Sequence, residues 1–122
     1  MRHIVGSLLV ALGCAQAKAP PTVSVQQLKT ELDAGRVPLL VDVRTPQEYA
    51  SGHVSGAVSL PLSGLTADDP VVAKHKQGPI YVICRSGSRS ARAAAQLGAA
   101  GYTAINVTGG TLGWTRAGFP VD

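Results

Sequence analysis

The 122-residue sequence has only two cysteines, five aromatic residues and no run of lysine or arginine. Two cysteines cannot form the disulfide network of a small secreted scaffold, so the fold has to depend on a hydrophobic core. Nucleic-acid binding usually needs dense positive charge together with aromatic side chains for stacking. We therefore expect no nucleic-acid partner, and a chain of this length with 45% hydrophobic residues is typical of one globular domain.

Long hydrophobic runs are also missing, because the apolar segment at residues 4–12 is too short to span a membrane. It follows the basic start Met1-Arg2-His3 and precedes a small-x-small site at residues 15–17. This arrangement predicts a secretory signal peptide over residues 1–17, a linker over 18–21 and one domain over 22–122. The predicted location is therefore the periplasm of a bacterium. A buried N-terminal helix is the alternative.

Cys14 leaves a second route open. Leu12-Gly13-Cys14 loosely resembles the box at which bacterial lipoproteins are cut and acylated, which would end the signal at residue 13 and anchor the chain in a membrane through Cys14. Either route leaves Cys84 as the only free thiol of the mature chain. Structural cysteines in an oxidising compartment usually come in pairs, so an unpaired Cys84 is best explained by chemistry.

Cys84 begins a short polar loop between an apolar run and an alanine-rich helical pattern. A thiol at such a strand-to-helix junction meets loop N–H groups and the positive end of the helix dipole, which both favour an anion. Neighbouring arginines add positive charge, serine hydroxyls can donate hydrogen bonds, and a glycine lets the backbone turn without a Cβ clash. We expect a lowered thiol pKa there rather than an inert buried cysteine. The predicted catalytic residue is Cys84, and the predicted substrate-binding residues are Arg85, Ser86, Gly87, Ser88, Arg89 and Ser90.

Strand and helix patterns alternate along the chain. Apolar runs predict strands at residues 38–43, 57–60, 80–83 and 103–107, and helical patterns with their caps fall at 25–34, 46–52, from 70, at 89–100 and at 111–117. This alternation predicts an α/β fold with a mainly parallel central sheet of about five strands, flanked by helices.

Three further polar residues are considered for the predicted site. Asp42 and Arg44 follow a buried strand and are predicted to support the site, Asp42 by orienting the Cys84 loop or by capping a neighbouring element. Arg44 is expected to pair with Glu48, four residues further along. His53 could act as a general base, but its context favours a structural loop histidine.

The ordered set of motifs resembles the single-domain rhodaneses, a family of thiosulfate sulfurtransferases. The matching segments cover about residues 22–120 and are 41–44, 48–49, 52–57, 84–90 and 109–110 with Trp114. The resemblance implies a rhodanese-like domain in which Cys84 attacks thiosulfate, releases sulfite and becomes a persulfide. A nucleophilic acceptor, cyanide or a thiol, then takes the sulfur. The arginines of the loop would attract the anionic donor, and no metal or organic cofactor is implied.

Two other functions fit parts of the same pattern. Cysteine phosphatases and arsenate reductases remain as alternatives, although phosphatases place five residues between cysteine and arginine, whereas four separate Cys84 from Arg89. A sulfur-carrier or binding module that acts with a protein partner is the non-enzymatic alternative. No exposed apolar stripe is evident, so a monomer is expected.

Overall fold

The computed structural model describes residues 19–122 as a parallel sheet covered by helices on both faces. The predicted signal peptide, its cleavage after Ala17 and the lipid anchor on Cys14 all lie outside the described residues, so they stay predictions. Within the described part of the chain, no helix has the length and apolar character needed to cross a membrane.

Five strands form one sheet in the order β1-β5-β4-β2-β3, and every neighbouring pair is parallel. The predicted α/β class and five-stranded sheet are therefore confirmed. The strands are β1 (Thr22–Val23), β2 (Leu39–Asp42), β3 (Val58–Ser59), β4 (Pro79–Ile83) and β5 (Thr103–Val107).

The helices lie close to their predicted positions. They are α1 (Val25–Asp33), α2 (Pro46–Ala50), α3 (Pro70–Ala73), α4 (Ser88–Ala99) and α5 (Gly110–Arg116), with a short 3-10 helix at Leu62–Gly64. Only α2 ends clearly early, at Ala50 rather than at Gly52, because Ser51 already serves as its C-cap.

Local capping explains where α1 and α2 begin. The Ser24 hydroxyl accepts from the N–H of Gln27, and the Gln27 side chain accepts from the N–H of Ser24. Thr45 and Glu48 form the same reciprocal pair at the start of α2. Each box satisfies two N–H groups that a helix start otherwise leaves unpaired.

Strand β1 has no counterpart among the predicted strands. It has two residues and pairs at the sheet edge with Asn106 and Val107 of β5. The carbonyl of Pro21, a residue predicted as linker, accepts from the N–H of Asn106 at 2.9 Å. Two residues are too few to show an alternating hydrophobic pattern, so only the pairing with β5 identifies this strand.

The two faces of the sheet build two apolar clusters. Along β4, Ile80 and Val82 face the cluster that contains α4, whereas Tyr81 and Ile83 face the cluster that contains α1 and α5. Cys84 continues this alternation and belongs to the α4 side. Because helices cover both faces, β2 is buried along its whole length and β4 is buried from Ile80 onwards, as expected for central strands of a parallel sheet.

The strand register brings the predicted site residues to one edge. Asp42 of β2 lies beside Ile83 of β4, and Val82 of β4 lies beside Asn106 of β5. The carboxyl ends of β2, β4 and β5 therefore meet at the same edge of the sheet, where α/β proteins usually bind their ligands. Cys84 follows the central one of these three strands.

Candidate active site

The Cys84 thiol lies at the bottom of the loop that joins β4 to α4 and is 1% exposed. The N–H of Gly87 donates to Cys84 Sγ at 3.1 Å, and the hydroxyl of Ser90 donates to it at 3.3 Å. Gly87 has a φ of 114°, which residues with a Cβ rarely adopt. That conformation turns its N–H towards the sulfur.

The pKa of the Cys84 thiol lies below its ordinary value as the balance of two opposing causes. Burial raises the pKa, because a charged sulfur loses solvation. Hydrogen bonds from the Ser90 side chain and from the backbone N–H groups of Ser90, Gly87 and Ser86 lower it by more. The thiolate is therefore stabilised mainly by donors of the loop, and the lowered pKa increases the fraction of thiolate, the nucleophilic form, at any given pH.

The first turn of α5 donates two hydrogen bonds to backbone carbonyls of the Cys84 loop. The N–H of Thr111 donates to the Cys84 carbonyl at 2.9 Å, and the N–H of Leu112 donates to the Arg85 carbonyl at 3.1 Å. Both carbonyls are drawn away from the centre of the loop, so its N–H groups are free to face the sulfur. Gly110 packs directly against these carbonyls, and a Cβ at that position would overlap both oxygens.

Asn106 is a site residue that the sequence analysis missed. It is 5% exposed, and its Nδ2 donates to the Gly87 carbonyl at 3.3 Å. Its Oδ1 lies 2.6 Å from the Ser90 hydroxyl oxygen and competes with Cys84 Sγ for the single hydroxyl proton. Asn106 therefore contacts both residues that donate to the sulfur, Gly87 and Ser90. The one available signal was a polar residue inside an apolar strand pattern, which does not by itself identify a partner.

Replacing Ser90 by alanine removes the side-chain donor to the sulfur. We expect the midpoint of the pH dependence of Cys84 alkylation to move to higher pH, because the thiolate loses stabilisation while the thiol does not. A hydrogen bond to a charged group contributes roughly 1.5 kcal/mol or more, so the alkylation rate at neutral pH should fall about tenfold. Rates of iodoacetamide labelling from pH 5 to 10 measure this.

Ser88→Ala is the matched control, because Ser88 carries an exposed hydroxyl in the same loop. Its pH profile should match that of the unmodified chain. Equal profiles for the Ser90 and Ser88 variants would contradict the role given to Ser90.

Asp42 and Arg44 form a buried ion pair with each other. Arg44 donates from Nε to Asp42 Oδ1 at 2.9 Å and from Nη2 to Oδ2 at 2.7 Å, and Nη2 also donates to the Gly52 carbonyl at 2.8 Å. The predicted pairing of Arg44 with Glu48 is therefore wrong. The i,i+4 rule requires both residues on one helix, and Arg44 precedes the N-cap of α2.

Glu48 instead pairs with Arg89 across the site. Two hydrogen bonds join them, from Arg89 Nη1 to Oε1 at 2.7 Å and from Nη2 to Oε2 at 2.9 Å. The pKa of Glu48 is lowered to about 2, first by Arg89 and then by the N–H and hydroxyl of Thr45. Arg89, predicted to bind an anionic substrate, is thus already neutralised by a carboxylate.

Arg85 lies at a cavity of about 230 Å³ on the same edge of the sheet. Its lining residues are Arg44, Glu48, Ser51, Gly52, Arg85, Thr111, Leu112, Thr115 and Val121. Cys84 is not among these lining residues, but its neighbour Arg85 and Thr111, which donates to its carbonyl, are. Among the described residues, Arg85 is the lining cation that forms no ion pair.

His53 lies in the loop after α2, where it contacts Tyr49. Its Nδ1 is 2.9 Å from the Tyr49 carbonyl, and the two rings stack with centroids 3.7 Å apart. Nothing in this geometry directs the imidazole at the sulfur, and the contacts are those of a structural residue. Across residues 19–122, no group of three or more histidine, cysteine and carboxylate side chains is placed to hold a metal ion.

The family model described as rhodanese-like domain matches residues 24–117. The chain is 40% identical over 84 residues to a protein of Allochromatium vinosum named sulfurtransferase, a match that covers 68% of this chain and 77% of that protein. It is 34% identical over 116 residues to thiosulfate sulfurtransferase 16 of Arabidopsis thaliana, which covers 86% of this chain and 95% of that protein.

Two further comparisons bear on size and fold. The chain spans 28% of the length of the probable adenylyltransferase/sulfurtransferase MoeZ of Mycobacterium tuberculosis, to which it is 32% identical over 109 residues. The crystal structure of a rhodanese-like domain protein from Staphylococcus aureus superposes with a TM-score of 0.68 at 33% identity, covering 77% of this chain and 90% of that one.

Proposed function

The chain belongs to the rhodanese-like domain family of sulfurtransferases, and from that premise we propose that it takes a sulfane sulfur from thiosulfate onto Cys84 and passes it to cyanide or a thiol. The observation that carries the proposal is the sulfur itself. It is a buried thiol with a lowered pKa, held by the Gly87 N–H and the Ser90 hydroxyl. A thiolate so held is suited to covalent catalysis.

The first half-reaction needs no oxidant and no proton transfer. The Cys84 thiolate attacks the outer sulfur of thiosulfate, a sulfur–sulfur bond forms to Cys84, and the bond to the sulfonate group breaks. Sulfite leaves with the bonding electron pair, and the persulfide keeps one negative charge. The N–H and O–H groups that donate to the thiolate can also donate to the negatively charged outer sulfur of the persulfide. The loop therefore stabilises both the thiolate and the persulfide.

In the second half-reaction the acceptor attacks the outer sulfur of the persulfide. With cyanide, a carbon–sulfur bond forms, the sulfur–sulfur bond breaks, and thiocyanate leaves while the Cys84 thiolate is restored. The loop donors again face a sulfur anion. One difficult transfer between two anions is thereby divided into two steps on one protein sulfur.

The Ser90 contact favours sulfur transfer over phosphate or arsenate chemistry. Phosphatases of this general type place an arginine at the position after Arg89, where it would clasp the oxygens of a tetrahedral substrate. Here that position is Ser90, which is fully buried and contacts the sulfur, and Arg89 faces Glu48. The loop therefore has no guanidinium at the position from which phosphatases clasp a tetrahedral substrate.

Arg85 is proposed to attract the anionic donor into the cavity. Arg85→Ala should raise the KM for thiosulfate about three- to tenfold, with a smaller change in kcat, because an exposed charge binds donor and transition state alike. Steady-state kinetics at low ionic strength measure this. Arg116→Ala removes an exposed arginine that does not line the cavity and should leave KM unchanged. Equal KM values for both variants would remove Arg85 from donor binding.

Intact-protein mass spectrometry tests the proposal directly. The reduced protein is incubated with thiosulfate, freed of excess donor and weighed before and after cyanide. We expect a gain of one sulfur that disappears with cyanide and gives stoichiometric thiocyanate. No gain with thiosulfate, combined with hydrolysis of an aryl phosphate, would replace sulfur transfer by phosphatase chemistry. No gain and no hydrolysis would favour a carrier loaded by a protein partner.

A further inference from the structure

The cations at the mouth of the site are unequally available. Arg44 is neutralised by Asp42 at 2.7 Å, and Arg89 is neutralised by Glu48 at 2.7 Å. Arg85 alone among the lining cations of the described chain forms no ion pair. The 230 Å³ cavity, whose lining arginines are Arg44 and Arg85, therefore offers an incoming anion roughly one unit of uncompensated positive charge.

Glu48 contributes to this balance from inside the cavity. It lines the same 230 Å³ space as Arg85, and its side chain remains 29% exposed although it is paired. Because its pKa is lowered to about 2, it carries its negative charge throughout the pH range in which the thiolate reacts. An anionic donor in this cavity thus meets a fixed carboxylate as well as Arg85.

The Glu48–Arg89 pair also separates two spaces. On the Arg89 side lies a second cavity of about 410 Å³, lined by Arg89, Arg92, Thr45 and Leu62 among others. Glu48 belongs to the first cavity and Arg89 to the second. The carboxylate is therefore the part of the ion pair that a donor beside Arg85 meets.

We propose that Glu48 is a specificity-determining residue that disfavours dianionic sulfur donors relative to monoanionic ones. A fixed negative charge repels a ligand in proportion to the charge of that ligand, so it penalises thiosulfate about twice as much as a thiosulfonate of similar shape. This inference deepens the proposed function and rests on it. It assigns the site a preference among sulfane donors, namely donors whose leaving group is a sulfinate rather than sulfite.

Two sulfur donors of similar shape but different charge isolate the effect of the charge of the donor. Methanethiosulfonate differs from thiosulfate in carrying a methyl group where thiosulfate carries an oxygen anion. With either donor the thiolate forms a sulfur–sulfur bond, the donor bond breaks, and methanesulfinate or sulfite leaves with the electron pair. The ratio of kcat/KM for thiosulfate to kcat/KM for methanethiosulfonate cancels any effect common to both reactions.

Glu48→Gln removes the charge and keeps a side chain of the same size that can accept from Arg89 and from the Thr45 N–H. We expect the donor ratio to rise about three- to tenfold at low ionic strength, as one charge in a partly screened cavity would give. The gain should shrink as ionic strength increases, because salt screens the interaction. A damaged structure would lower both rates and leave the ratio unchanged.

Glu31→Gln is the matched control. Glu31 forms a similar two-bond pair with Arg36, at 3.0 and 2.7 Å, and does not line the cavity. It changes the net charge of the protein by the same amount, so its donor ratio should equal that of the unmodified chain. Glu48→Asp keeps the charge, and its ratio should also stay unchanged even if both rates fall.

Ser51→Glu provides a second route if Glu48→Gln does not fold. Ser51 is an exposed lining residue of the same cavity, and a second carboxylate there should lower the donor ratio about three- to tenfold. An unchanged ratio in a folded Glu48→Gln protein, or in Ser51→Glu, would overturn the inference. Unmodified protein that accepts sulfur from neither donor would instead overturn the proposed function.

Discussion

Cys84→Ser is expected to abolish sulfur loading, with no sulfur adduct after thiosulfate and no detectable thiocyanate. A serine hydroxyl is almost wholly protonated at neutral pH and cannot form the sulfur–sulfur bond on which the reaction depends. Rate losses on removal of a nucleophile commonly exceed about 10⁴-fold. Mass spectrometry after thiosulfate treatment, together with a thiocyanate assay, measures both half-reactions.

The fold of the Cys84→Ser protein should survive. Serine is slightly smaller than cysteine, and its hydroxyl can take the Gly87 and Ser90 contacts that the sulfur has. We expect the free energy of unfolding to change by about 1 kcal/mol or less, which denaturant titration would show. Retained sulfur transfer in a folded Cys84→Ser protein would refute the assignment of the nucleophile.

Gly110→Ala should nearly abolish activity although Gly110 does not contact the sulfur. A Cβ there would overlap the carbonyl oxygens of Cys84 and Arg85, and both are backbone atoms that cannot move aside cheaply. Gly110 also has a φ of +57°, which costs a residue with a Cβ about 1 kcal/mol or more. The start of α5 would have to move away and give up its bonds to the two carbonyls.

The expected result for Gly110→Ala is a loss of about 3 kcal/mol or more in the free energy of unfolding. Persulfide formation should slow by at least about 10²-fold, because the loop donors no longer keep their positions at the sulfur. Thermal unfolding and single-turnover loading with thiosulfate measure the two effects. The alkylation midpoint of Cys84 should also move to higher pH as the donors misalign.

Gly109→Ala is the matched control for strain alone. Gly109 has a φ of +82°, but a Cβ at that position would meet its nearest neighbour, the Cα of Gly113, at 3.8 Å, an ordinary contact. Its variant should lose about 1–2 kcal/mol of stability and keep most of its loading rate. If Gly110→Ala were no worse than Gly109→Ala, the packing of α5 against the loop would not matter for catalysis.

Local signals explain most of what the sequence predicted correctly. The N-caps Ser24 and Thr45 act through residues three positions away, so the starts of α1 and α2 can be read from short segments. Buried strands such as β4 stand out as continuous apolar runs because both faces of a parallel sheet are covered. Helical patterns between such strands then indicate a parallel sheet, because parallel strands need a crossover connection.

The failures share one cause, which is distance along the chain. Arg44 is predicted to pair with Glu48, but Glu48 binds Arg89, which lies 41 positions further along the chain. Asn106 was missed because its partner Ser90 lies 16 positions earlier and on another element. No periodicity or motif within one segment indicates which of several charged groups will be neighbours once the strands are in register.

The sequence by itself determined the reacting atom and its immediate surroundings: Cys84, the turn at Gly87 and the helix that follows. These depend on backbone conformations that a few adjacent residues dictate. Only the tertiary structure decided that Asn106 contacts the donors to the sulfur and which cations stay free, because parallel pairing of β2, β4 and β5 brings together residues distant in sequence. The Cys84 loop could therefore be predicted from the sequence, whereas the ion pairs that set the net charge around it could not.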